Sequence, residues 1–188
     1  MEYRLTSPVE SEDISMLKAG DKVFLSGELY TARDQAHKRI TDALISHVQL
    51  PFNLEGSAIY YVGPTPEKPG TCIGSAGPTT SGRMDAFSPL LIEHGNKIMI
   101  GKGRRSKEVK DAIVKYGAVY LGAMGGAGAL MAQCVQSSEI IAWEDLGCEA
   151  VRKLIVKDMP LTVITGPDGT DLYDIGPEEY LRQYNLCN

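Results

Sequence analysis

No run of about 18 apolar residues, the length a membrane-spanning helix requires, occurs in this 188-residue chain. The opening stretch, MEYRLTSPVESEDISMLKAG, carries charges throughout and lacks the apolar centre of a signal peptide, so a cytoplasmic protein with no membrane association is expected. Basic residues are not concentrated either. Nineteen Lys and Arg stand against 24 Asp and Glu for a formal net charge of −5, and no segment could track a nucleic-acid backbone. The four cysteines, Cys72, Cys134, Cys148 and Cys187, form no C-x-x-C pair, which argues against a zinc site or redox dithiol built from local ligands. Most are expected to be buried as small apolar residues. An HxxE-type metal motif and a nucleophile elbow with Ser-His-Asp order are also missing, so the chain carries no metal ligands of its own and reads as an incomplete catalyst.

What is present is a regular alternation. At 20.4 kDa the chain has room for one well-buried domain, expected to span residues 1–188. Short β-branched runs bounded by Gly or Pro recur at 22–27, 57–63, 96–101, 117–122, 139–143 and 161–166, each reading as a buried strand. Helical spacing appears between several of them, at 31–49, 106–116, about 126–136 and about 148–157. Strands alternating with helices predict an α/β fold with a partly parallel sheet.

In the first helix Ala32, Ala36, Ile40, Leu44 and Val48 form one apolar stripe, and Thr31 with Asp34 suggests a capping-box-like start. Arg33 then falls in the first turn, where a cation is disfavoured by the helix dipole. It is either a solvated arginine or part of an anion site made with the free N–H groups of the helix. His37, one turn on, reads as a surface or hydrogen-bonded histidine. The second helix starts at the N-cap Ser106 and stops at Gly117; before it lies GKGRRS, which puts Lys102, Arg104 and Arg105 at a strand end. The glycine-rich run at 122–135 fails the G-x-G-x-x-G dinucleotide pattern because position 131 is Met, and points to close backbone packing or a positive-φ turn. Pro167-Asp168-Gly169 marks a tight turn between two extended pieces.

The densest polar cluster is GPTTSGRMD, residues 77–85. Its glycines have phosphate-loop spacing, but Arg83 and Met84 stand where Lys and a magnesium-binding hydroxyl are needed. Arginine matches a carboxylate as a bidentate fork, and Thr79, Thr80 and Ser81 supply hydroxyls that can donate to a ligand or move a proton. A small organic acid suits this set better than a nucleotide. Arg33, Arg83 and Lys102, if they converge, would hold a dicarboxylate at both ends.

LSGELYTARDQAHKRI, YYVGPTP, IGSAGPTTSGRMD, the GKG motif and GAVYLGAMGGAGAL, in this order, resemble the β subunit of the class I fumarate hydratases and of the related L(+)-tartrate dehydratases. The resemblance runs from about residue 10 to about residue 180. It implies a three-layer β/β/α swivelling domain of the fumarase C-terminal type. It also implies an iron–sulfur hydro-lyase interconverting fumarate and L-malate, with a site shared with an α subunit that holds a 4Fe-4S cluster whose open iron acts as a Lewis acid. By motif, Arg33, Arg83 and Lys102 match the family's substrate-binding positions and Thr79 its proton-transfer residue; Thr80, Ser81 and His37 stand as supporting candidates. A threonine hydroxyl is a poor base unless a positive field lowers its pKa. L(+)-tartrate is the alternative substrate, and a noncatalytic carboxylate-binding module the alternative of another class.

Overall fold

The computed structural model describes residues 1–184, so Cys187 lies outside the described residues. Strands β1 (Glu2–Ser7), β2 (Lys22–Thr31), β3 (Ala58–Tyr60), β4 (Ile98–Gly101) and β5 (Val119–Gly122) run parallel as neighbours in that order. The long strand β7 (Val151–Thr165) pairs antiparallel with β5 at one end and along β2 over most of its length, so β2, β3, β4, β5 and β7 close into a ring. The eight-residue β6 (Val135–Ala142) pairs on β7 outside the ring.

Alternation of side chains across the strands then makes two cores. Tyr60, Ile98, Ile100, Val119 and Leu121 face the inside of the curled sheet, where Leu25, Leu154 and Val163 meet them. Ile59, Tyr61, Met99 and Tyr120 face outward beneath α2 (Asp34–Ile45), α3 (Ser88–Glu93) and α4 (Lys107–Tyr116). Burial on both faces is why these strands read as unbroken apolar runs. The result is an α/β fold with two facing sheet layers and a helical layer. Two short helices seal the inner core: Ile14 of α1 (Ser11–Ile14) and Met131 of α5 (Gly128–Gln133) both pack into it. Among the described residues no helix is long and apolar enough to cross a membrane.

Helix α4 begins and ends as expected. The Ser106 hydroxyl accepts from Val109 N, and Gly117 closes the helix at φ +62°. Three expectations are overturned. The segment about 148–157 is the first half of β7, a strand flanked by β2 and β6, although Val151, Leu154 and Ile155 have helical spacing. Helix α2 starts later than Thr31, which is the last residue of β2; its hydroxyl donates to Ala150 O (3.3 Å) and accepts from Arg152 N (2.9 Å), leaving no capping box. The three described cysteines are not buried: Cys72 and Cys148 are exposed and Cys134 is half-buried. Pro167-Asp168-Gly169 does turn the chain, with Gly169 N donating to Gly166 O, but leads through a single bridge at Asp171 into α6 (Leu172–Gln183). That helix and β1 carry little sequence signal, since neither shows a clean apolar period.

Candidate functional site

The C-terminal ends of the parallel strands form one edge, the place where open α/β sheets collect ligands. Arg33 lies two residues beyond β2, Gly63 three beyond β3, and Lys102 directly after β4. The loop 77–84 is laid across this edge by backbone bonds. Thr79 N donates to Tyr61 O (2.8 Å), Thr80 forms a parallel bridge with Lys102, and Ser81 N donates to Lys102 O (2.8 Å). Such close passage needs glycine. A Cβ on Gly101 would stand 2.0 Å from Ser81 Oγ, and one on Gly128 only 3.0 Å from Gly77 N. Thus the glycine-rich run serves backbone packing, as its failed dinucleotide pattern suggested; Gly126, at φ +81°, supplies the positive-φ turn as well.

After Ser81 the chain makes a 3-10 turn, Ser81–Met84, which brings Arg83 into an ion pair with Asp34 at the start of α2. Arg33 is the N-cap residue of that helix and offers no capping side chain. Its guanidinium lies against Gly63, where an added Cβ would come within 2.8 Å of Nη1, and its Nη2 is 3.3 Å from Glu149 Oε1. Lys102 is exposed, and among the described residues its ammonium has no ion-pair or hydrogen-bond partner. It opens onto a cleft of about 580 Å³ bounded by Thr80, Met124, Ile164, Leu172 and Tyr173, of which Arg33, Arg83 and Thr79 are not walls. All three cations therefore reach the same sheet edge, two of them partnered by the chain's own carboxylates.

The three hydroxyls are not equivalent. Ser81 is fully buried, with Oγ 2.9 Å from the Tyr120 hydroxyl, which itself donates to Gly103 O (2.9 Å). Tyr120 has one proton to give, so Ser81 donates to it and is committed to the interior. Thr79 is half-buried and Thr80 exposed, and neither hydroxyl has a protein partner among the described residues.

Beneath the loop sits Arg105, its side chain fully buried. Its Nε donates to Asp85 Oδ1 and its Nη2 to Ser88 Oγ, both at 2.7 Å, and it lies between the rings of Tyr61 and Tyr120. Asp85 Oδ2 also accepts from Ser106 N (2.7 Å), tying the loop's exit to the start of α4. Arg105 and Asp85 form a mostly enclosed ion pair, neutral as a whole, that anchors the exit of the loop. Neither was singled out from the sequence as a site residue, although Asp85 closes the GPTTSGRMD cluster.

His37 is fully buried, not at the surface. Its Nδ1 lies 3.0 Å from Arg33 O, which assigns the ring proton to Nδ1, while Nε2 has no partner and the ring meets Tyr61 edge-on. Burial pushes its pKa down to about 4, and the nearby Arg105 charge adds to the effect. A neutral, enclosed imidazole supports the backbone of Arg33.

An iron–sulfur cluster requires several converging thiolates. Among the described residues no three His, Cys, Asp or Glu side chains gather as metal ligands, and the donor set of these residues does not fit the group.

The sequence model described as Fumarase C-terminus matches residues 2–176. A putative L(+)-tartrate dehydratase subunit beta from Methanocaldococcus jannaschii is 39% identical over 181 residues, 93% of this chain and 92% of that protein. The chain belongs to the fumarase C-terminus family. Fumarate hydratase 2 of Leishmania major is 39% identical over 173 residues, 90% of this chain. The class I anaerobic fumarate hydratase of Escherichia coli K12 is 37% identical over 162 residues, 85% of this chain. The chain spans only about 30% of the length of either fumarate hydratase. Its place in the fumarase C-terminus family accords with a site whose cations and hydroxyls are gathered on one open edge.

Proposed function

We propose that this chain is the β part of an iron–sulfur hydro-lyase of the cytoplasm that reversibly hydrates fumarate to L-malate, in a site completed by an α subunit. The observation that carries the reading is the placement of Arg33, Arg83 and Lys102 at one sheet edge together with Thr79 and Thr80. Family membership supports the reaction class.

In this reading the cations bind the two carboxylates of the substrate and orient the carbon–carbon double bond. Hydration adds hydroxide equivalent to one alkene carbon and a proton to the other; Thr79 delivers that proton from Oγ and recovers it from water, and in the reverse direction accepts it. Lys102 and Arg83 supply the positive surroundings that stabilise the hydroxyl's deprotonated form. Ser81, committed to Tyr120, holds the loop. In this reading the 4Fe-4S cluster is held by the α subunit.

The test is anaerobic assay of fumarate hydration and malate dehydration by the chain alone and with its α subunit. Activity is expected only in the mixture. Arg83→Met should lower kcat/KM by on the order of 10²-fold. Thr79→Val should lower kcat by about 10²–10⁴-fold, the usual worth of a positioned proton donor, while Thr80→Val leaves most of it. An intact assembly inactive toward fumarate and malate would overturn the assignment. L(+)-tartrate is the second reading, favoured by the match along 92% of a tartrate dehydratase β subunit, and the same assembly assayed with tartrate decides it.

A further inference from the structure

The guanidinium of Arg33 does not hold itself in place. It projects from an N-cap position, where the backbone is extended, and makes no side-chain capping hydrogen bond. What contains it comes from 116 residues further along the chain. The Glu149 carboxylate lies in the connection between β6 and β7; one oxygen is 3.3 Å from Arg33 Nη2 and the other accepts from Gln35 N at 3.0 Å. Both side chains of the ion pair are mostly enclosed, 20% and 16% exposed. Gly63 closes the opposite side, and Cys148 O lies 3.1 Å from where its Cβ would be. Two further bonds lock this connection to the end of β2, from Thr31 Oγ1 to Ala150 O and from Arg152 N to Thr31 Oγ1. Meanwhile Arg33 Nε is buried and has no partner, so the clamp leaves donor capacity of the guanidinium unmet.

We infer that Glu149 is a positioning residue for the dicarboxylate site: it clamps Arg33 against Gly63 and caps α2, holding the guanidinium at the sheet edge where a substrate carboxylate would bind. The inference rests on the hydro-lyase reading for its substrate and on geometry alone for the clamp. A carboxylate that both caps a helix and fixes a cation couples the helix to the site. Substituting Gln keeps an oxygen for Gln35 N but removes the charge that orients Arg33, whereas Ala removes both.

The experiment uses the assembled α/β enzyme with Glu149→Gln, Glu149→Ala, Arg33→Met and the Arg33→Met/Glu149→Gln double variant. Glu149→Gln should raise the KM for fumarate about tenfold with a smaller change in kcat, the signature of lost ground-state binding. In the Arg33→Met background it should have no further effect, because residues acting through one another are not additive. Glu149→Ala should in addition lower the melting temperature more than Glu149→Gln does. An unchanged KM in Glu149→Gln, or full additivity with Arg33→Met, would overturn the inference. Should the assembly neither hydrate fumarate nor dehydrate L(+)-tartrate, the hydro-lyase reading fails separately, and nitrogen-15 NMR of the Arg33 side chain decides the clamp. Its Nη rotation should be slow in the unmodified chain and faster in Glu149→Gln; equal rates would refute the clamp.

Discussion

At the scale of single residues, the site is surrounded by groups whose chemistry is set by enclosure. His37 is the clearest case. Folded, it titrates at about 4 because burial penalises the imidazolium; unfolded, it returns to about 6.5. Between those values the unfolded chain binds the extra proton, so stability falls as pH drops from 6.5 toward 4, by about 3 kcal/mol in total. Denaturant titrations at pH 7 and pH 5 should show this loss, and a His37→Gln variant should show a flatter dependence between pH 6.5 and 4.5, above the range where the depressed carboxylates Asp21 and Glu28 protonate. Gly101 tests packing instead of charge. A methyl group there would meet Ser81 Oγ at 2.0 Å and Tyr61 Cδ2 at 3.0 Å, so Gly101→Ala should cost about 1–3 kcal/mol in a melt and displace the 79–81 hydroxyls.

At the scale of elements, each side chain of the site is carried by an end, where a strand or helix leaves backbone groups to be satisfied. Helix α4 is capped by Ser106 and shares Asp85 with Arg105, so the helix start and the underside of the loop are one polar unit. Helix α6 has no buried residue and is held at its first turn. Asp171 accepts from Tyr173 N (2.8 Å) and Thr165 Oγ1 (2.9 Å) and pairs with Lys110 (3.0 Å), while Arg104 and Lys110 bind Asp174. Since Asp171 is almost wholly enclosed, Asp171→Ala should destabilise the protein by about 2–4 kcal/mol in chemical denaturation. Leu172 and Tyr173 wall the cleft beside Lys102, so loosening α6 should also reshape that cleft.

At the scale of the molecule, the closing of β7 onto β2 and β5 makes the inner core continuous. Amides of β4 and β5, fully enclosed between two apolar clusters, should exchange slowest in hydrogen-exchange experiments and those of α6 fastest. Leu154 sits where the ring closes, fully buried, and Leu154→Ala should cost about 2–5 kcal/mol by thermal or urea melts. The rigid ring presents an open edge of cations whose own carboxylate partners cover only Arg33 and Arg83.

Most strands, the caps of α4 and the GPTTSGRMD cluster were legible in the sequence, because apolar runs, a Ser before a helix and a Gly after it act through local backbone chemistry. Arg33, Arg83 and Lys102 could be named from motifs, but their meeting on one edge depends on parallel pairing of strands distant in the chain. Only the tertiary structure made residues 151–157 a strand, since pairing on both sides outweighs a helical spacing of Val151, Leu154 and Ile155. The same long-range pairing took Thr31 from the cap of α2, enclosed His37, committed Ser81 to Tyr120 and carried Glu149 to Arg33. Local preference determined which segments became regular elements; burial and distant hydrogen bonds, which no short stretch encodes, decided which side chains face the open edge.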